Sequence, residues 1–151
     1  GRVTEAFVLD TSAWLALDEA EPGAQEVESI LAAGWLDQAQ VHACFVTLTE
    51  LEYIRTRERD TAQAAELLAF ARAQRVMWRH SDDALCSAAA KLKAAHRLSF
   101  ADAFVAALAV QLDATLVHKD PEFSALAGVV KQRALPLKGG PTPSAIPPQS
   151  V

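Results

Sequence analysis

Cysteine is scarce. Cys44 and Cys86 stand far apart in no ligand-like spacing, which argues against a disulfide scaffold or a cysteine-built metal site. Both read as buried, reduced thiols of a cytoplasmic protein. Long apolar runs are also missing. The best one, Ala101 to Leu112, carries Asp102 and Gln111 and falls short of the roughly 18 residues a membrane helix needs, so no membrane partner is expected. Near the start, Phe7-Val8-Leu9 runs straight into Asp10, which excludes a signal-peptide core there. Nor is there an excess of positive charge. Lys and Arg number 14 against 19 Asp and Glu, a net of −5, which speaks against a DNA-coating protein held by phosphate contacts. An enzyme that touches nucleic acid locally remains compatible with that charge.

Apolar residues are plentiful, at 51% against 22% charged, as in a globular chain. With 151 residues one domain is expected, burying roughly two-thirds of its unfolded surface. The chain begins at Gly1 without Met, and Gly1-Arg2 reads as an added remnant. Residues 138–151, rich in Gly and Pro, read as a flexible tail. The folded domain is therefore placed at residues 1–137.

Between these ends, strand and helix signals alternate. Strands are predicted at Phe7–Leu9, Val41–Val46, Val76–His80 and Thr115–His118, with a last one at Val129-Val130. The spacing predicts helices over Ser12–Ala20, Ala24–Ala33 (ended by Gly34), Thr47–Glu58, a segment capped by Asp60 through Gln74, one capped by Ser81 or Asp82, and Ser99–Leu112, with a short one from Pro121. Strands separated by helices imply an α/β domain with a mostly parallel central sheet of four to five strands, covered on both faces.

Ligands of such folds bind beyond the carboxyl ends of the strands. Four acids are predicted at that edge. Asp10 ends the first strand. Glu50 and Asp102 lie in the first turns of their helices, and Asp120 follows the fourth strand by two residues. Each has a plainer reading. Thr47-Leu-Thr-Glu50 and Ser99-Phe-Ala-Asp102 fit a capping box, and Asp10 and Asp120 could be turn or cap residues. Capping does not explain why all four gather, nor a carboxylate within Phe100-Ala-Asp102-Ala-Phe-Val-Ala-Ala-Leu-Ala-Val110, where an unpaired charge is costly. Gathered carboxylates repel, and a divalent cation offsets that repulsion. Oxygen-only ligands suit Mg²⁺, with Mn²⁺ as a substitute.

Four segments, Val8-Leu-Asp10-Thr-Ser12-Ala13, Thr47-Leu-Thr-Glu50-Leu51, Leu98-Ser-Phe-Ala-Asp102-Ala103 and Asp113-Ala-Thr-Leu-Val-His-Lys-Asp120-Pro-Glu-Phe123, resemble the signature blocks of PIN-domain ribonucleases, in the family's order. The resemblance spans about residues 6 to 136 and is closest to VapC-type toxins of toxin–antitoxin pairs. It implies a single PIN-like nuclease domain in which Asp10, Glu50, Asp102 and Asp120 form the metal site and Ser12 supports it. It further implies a Mg²⁺-dependent endoribonuclease that hydrolyses RNA to leave a 5′-phosphate, a homodimer, and a cognate VapB-like antitoxin whose C-terminal segment crosses the active-site groove. His118 departs from the small hydroxyl residue common at its position, and reads as a strand residue with a satisfied imidazole. The alternative is a catalytically silent PIN-like module that binds RNA or protein.

Setting the four site charges aside brings the net charge from −5 to −1. Arg55, Arg57, Arg59, Lys91, Lys93, Arg97 and Lys119 are available to grip RNA, and each reads first as a solvated charge. Of the three tryptophans, Trp14 is predicted to be the most exposed.

Overall fold

A computed structural model describes residues 4–137; the expectations for Gly1-Arg2 and for residues 138–151 lie outside the described residues. Strands β1 (Glu5–Leu9), β2 (Ala39–Cys44), β3 (Met77–Arg79), β4 (Thr115–His118) and β5 (Gln132–Ala134) alternate with helices α1 (Thr11–Asp18), α2 (Ala24–Trp35), α3 (Phe45–Glu58), α4 (Thr61–Ala73), α5 (Asp83–Ala95) and α6 (Phe100–Gln111), and a 3-10 turn covers Pro121–Leu126. The strands form one sheet in the order β3-β2-β1-β4-β5. All four pairings are parallel, as the helix-separated strands require.

The sheet separates two apolar layers because side chains alternate along each strand. Phe7 and Leu9 of β1 join Val41, Ala43 and Val117 under α1, α2 and α4, where Trp14, Val27, Ile30, Leu31 and Leu67 close the layer. Val8 points the other way, with Cys44 and Leu116, toward α5, α6 and the 3-10 turn. The chain leaves β1 outward through β2 and β3, then returns to β4 on the other side of β1. The strand order reverses between β1 and β4, which opens a crevice past their carboxyl ends.

Several boundaries differ from the sequence expectation. β2 ends at Cys44, and Phe45 and Val46 begin α3. Phe45 is drawn off the sheet by an edge-on contact with Phe104, with ring centroids 5.3 Å apart, a tertiary contact that outweighs β propensity. Helix α2 runs through Gly34 to Trp35. At Gly34 a Cβ would lie 3.0 Å from a methyl of Val41, so this glycine serves close helix–strand packing rather than termination. Helix α1 stops at Asp18, and Ala20 takes a left-handed conformation with φ 51°. The last strand is Gln132–Ala134, while Val130 is buried in the α6-side layer. Trp14 is 1% exposed and stacks on Trp78 at 5.6 Å, whereas Trp35 is the exposed tryptophan. Cys44 is buried as expected, but Cys86 is exposed on α5; both thiols are free.

Candidate metal centre

Asp10 is placed by two elements at once. Its backbone N–H donates to the Val117 carbonyl at 3.0 Å, extending the β1–β4 pairing past the end of β1. Its side chain caps α1: one carboxylate oxygen, Oδ2, accepts from the Ser12 N–H at 3.0 Å and from the Ser12 hydroxyl at 2.5 Å. The hydroxyl oxygen of Ser12 in turn accepts the backbone N–H of Lys119 at 2.8 Å. Ser12 thus ties the start of α1 to the loop after β4. The other oxygen of Asp10, Oδ1, is buried without a hydrogen-bond partner among the described residues.

Asp102 enters from α6. Ser99 caps that helix by accepting the Asp102 N–H at 3.1 Å, which is half of a capping box. The reciprocal half is missing, because the Ser99 N–H donates to the carboxylate of Glu122. Relieved of that bond, the Asp102 carboxylate stays in the crevice at 6% exposure, heading a run of buried residues through Ala109.

Asp120 caps the 3-10 turn, accepting the Glu122 N–H at 2.9 Å. Its own N–H donates to Nδ1 of His118 at 3.1 Å. Nε2 of His118 lies 2.8 Å from the amide oxygen of Gln132, whose NH₂ donates to the Phe123 carbonyl at 3.0 Å. This network assigns the Nε2–H tautomer, and burial lowers the imidazole's pKa. His118 is the satisfied strand histidine expected from the sequence.

Glu50 sits in the second turn of α3, not the first, because the helix starts at Phe45. Its predicted capping box with Thr47 does not form: Cys44 occupies the cap position and makes no side-chain cap bond. Thr47 is fully buried instead, with its hydroxyl 3.0 Å from that of Thr11. The Thr11 hydroxyl donates to the Glu50 carboxylate at 2.6 Å, which aims Glu50 at the start of α1.

The charges feel one another. Burial pushes the Asp10 pKa from 3.8 up to about 6, with Glu50 and Asp120 adding repulsion and the Ser12 bonds pulling it down. Asp102 is pushed up to about 9, chiefly by burial, then by the charge of Asp10 and by Asp120. Carboxylate oxygens of Asp102, Asp120 and Glu122 lie within 4.8 Å of one another. Glu122 was not foreseen. The available signal was Asp120-Pro-Glu122, a capped turn opening with Pro that brings a second acid back beside the first. All-oxygen donors and a buried carboxylate oxygen with no partner fit a hard divalent cation of the Mg²⁺ or Mn²⁺ type.

Two of the cations expected to be solvated are buried. The guanidinium of Arg55 lies 2.8 Å from Asp18 and 3.4 Å from Glu19. The ammonium of Lys119 lies 3.2 Å from Glu21 and donates to the Pro22 carbonyl at 2.9 Å.

A family model described as PIN domain matches residues 7–129. Among curated proteins no sequence matches significantly. Solved structures share the fold. VapBC2 of Rickettsia felis, bound to a promoter DNA fragment, aligns at a TM-score of 0.69 and 14% identity, over 87% of this chain and 99% of that one. DNA-bound VapBC of Salmonella typhimurium aligns at 0.67 and 15%, over 87% and 98%. VapC20 of Mycobacterium tuberculosis, a toxin that cleaves the sarcin–ricin loop, aligns at 0.66 and 23%, over 86% and 99%.

Proposed function

The chain belongs to the PIN-domain family, and on that premise we propose that it is a divalent-metal-dependent endoribonuclease, the toxin of a toxin–antitoxin pair. The observation that carries this reading is the Oδ1 of Asp10, buried with no hydrogen-bond partner among the described residues, in a group that feels the charges of Glu50 and Asp120 and raises the pKa of Asp102, while Asp102, Asp120 and Glu122 form a close acidic triple that Asp10 and Glu50 stand outside. A buried carboxylate oxygen without a donor is costly. A bound cation removes that cost.

Asp10 and Asp102 are the direct metal ligands in this reading. Asp120 and Glu50 hold a second ion or orient the attacking water, and Glu122 stands at the rim. Ser12 acts by fixing Asp10: it donates to Oδ2 and leaves Oδ1 without a donor among the described residues. When bound, Mg²⁺ or Mn²⁺ supplies an acidified water and positive charge against the phosphate. Water attacks phosphorus in line and the 3′-oxygen leaves, giving 5′-phosphate and 3′-hydroxyl ends. No 2′-hydroxyl nucleophile is needed.

Solved relatives that are VapBC complexes support a VapB-like antitoxin as the partner in this reading. We further propose that the antitoxin holds the enzyme inactive, that the toxin is a homodimer, and that both act in the cytoplasm. Among the described residues no helix is long and apolar enough to cross a membrane.

The test is RNA cleavage by the full chain with Mg²⁺ and with EDTA, alongside Asp10→Asn and Asp102→Asn. Cleavage by the parent with Mg²⁺ alone, and by neither variant, supports the assignment. Cleavage that survives EDTA or either substitution removes it. Co-expression with the neighbouring small gene tests the antitoxin, and sedimentation tests the dimer.

A further inference from the structure

The cations once available for gripping RNA have mostly been committed elsewhere. Arg55 and Lys119 are buried in ion pairs, Arg57 lies over the Tyr53 ring at 5.2 Å, and Arg59 lines a recess with Asp18, Glu19 and Glu21. Lys91 and Arg97 are both exposed and make no ion pair among the described residues, and of the two it is Arg97 that shares a concavity with an acid of the centre. It lines a concavity of about 570 Å³ with Lys93, His96, Leu98, Ser99 and Glu122. Glu122 also belongs to the acidic triple, so this basic corner and the acid centre share a wall.

The corner is held from both sides. The Lys93 ammonium donates to the Leu98 carbonyl at 2.8 Å, and the His96 N–H donates to the Leu92 carbonyl at 2.9 Å. The Ser99 N–H is fixed on Glu122. Next in the chain comes Phe100, 68% exposed, and no large apolar side chain among the described residues is more so. Its ring makes a T-shaped contact with Phe104, with centroids 5.2 Å apart. It precedes the buried Asp102 by two residues.

A guanidinium and an exposed aromatic ring next to a phosphodiester-cleaving centre are the two elements of single-strand recognition: cations track the backbone, and rings take bases lifted from their stack. We infer that Arg97 and Phe100 form a substrate subsite, in which Arg97 binds the phosphate beside the scissile one and Phe100 stacks on an unpaired base of the same RNA strand. This subsite rests on the nuclease reading. Glu122 turns its charge to the Ser99 N–H, which leaves Arg97 as the group that meets the flanking phosphate.

The experiment measures kcat and KM of the full chain on a single-stranded oligoribonucleotide across a salt series, with Mn²⁺ affinity and sedimentation read in parallel. Arg97→Gln is expected to raise KM at unchanged kcat, and to flatten the log–log salt dependence by about 0.7, the share of one phosphate contact on a single strand. Phe100→Ala is expected to raise KM roughly five- to hundredfold, the loss of one stacked base, with Phe100→Trp restoring it. Mn²⁺ affinity should match the parent in all three. A parent that cleaves RNA while Arg97→Gln and Phe100→Ala keep its KM and salt slope overturns the subsite and leaves the nuclease reading standing. A Phe100→Ala protein that turns from dimer to monomer makes the ring a contact between copies, and also overturns it. A parent that neither binds nor cleaves RNA removes both.

Discussion

Asp10→Asn in metal-free protein tests the acid centre without any substrate. Asp10 is 3% exposed, and its pKa rises from 3.8 to about 6 on folding, first through burial. A raised folded-state pKa means that the folded protein binds this proton more tightly than the unfolded chain. The associated stability is complete below about pH 4 and is lost as pH climbs through about 6. At about 1.4 kcal/mol per tenfold change in proton affinity, the loss approaches roughly 3 kcal/mol above pH 7. Asparagine cannot ionise, and its amide oxygen can still accept from Ser12. The Ser12 bonds are already counted in that pKa, but the amide NH₂ takes the place of Oδ1 with no acceptor among the described residues, at about 1–2 kcal/mol. In EDTA the variant should therefore gain on the parent by about 1–2 kcal/mol at pH 8, a few degrees in Tm. The gap should close as pH falls toward 4. With Mg²⁺ the order should reverse, since the parent gains about 2.7 kcal/mol at a hundredfold excess over the dissociation constant and the variant has lost a ligand. Thermal melts of both proteins at several pH values, with EDTA or Mg²⁺, decide it. An Asp10→Asn protein less stable than its parent in EDTA at pH 8, or a gap that ignores pH, would refute the reasoning and leave Asp10 as a helix cap.

Three further outcomes follow from particular contacts. Burial and the neighbouring acids raise the proton affinity of Asp102, and a ligand must be deprotonated, so Mg²⁺ binding should release protons and tighten as pH rises; titration calorimetry in buffers of different ionisation heat measures this, and buffer-independent heats would contradict it. Arg55→Met leaves Asp18 and Glu19 without their buried cation and should cost about 2–3 kcal/mol, less than the roughly 3–5 of a fully buried pair because both acids keep some water; denaturant unfolding gives the value, and a change within about 0.5 kcal/mol would contradict it. Cys86 is exposed, while Cys44 is buried with its thiol pushed up to about 11, so a thiol reagent should modify one cysteine per native chain and the second only on unfolding.

The central layout was legible because it rests on local signals. Phe7-Val8-Leu9 followed by Asp10 marks a buried strand and its end. Ser99 with Asp102 marks a helix start, and Asp120-Pro121 marks a turn; the structure uses each as a cap. What was not legible depends on partners far away in the chain. Lys119 and Glu21 are 98 residues apart, so nothing near Lys119 announces its burial. Phe45-Val46 has the composition of a strand, and only Phe104 on the opposing helix decides otherwise. Trp14 was placed one turn past Asp10 without knowing that Trp78 covers it. The capping box that offered Glu50 its plainer reading does not form, and the Thr11 hydroxyl, 39 residues away in the chain, holds its carboxylate instead. The half-made box at Ser99 is the more instructive case. The motif located the helix correctly, and the departure from it, with Glu122 in place of Asp102 on the Ser99 N–H, is what leaves Asp102 available.

The most direct test of the account is where a divalent ion sits. Crystals of the full chain grown with Mn²⁺ should show an anomalous peak about 2.1 Å from oxygens of both Asp10 and Asp102, the distance of a hard-cation bond, with Asp120 or Glu50 reached directly or through water. A peak that touches Asp120 and Glu122 but leaves Oδ1 of Asp10 without a ligand, or no peak in the crevice at saturating Mn²⁺, would contradict it.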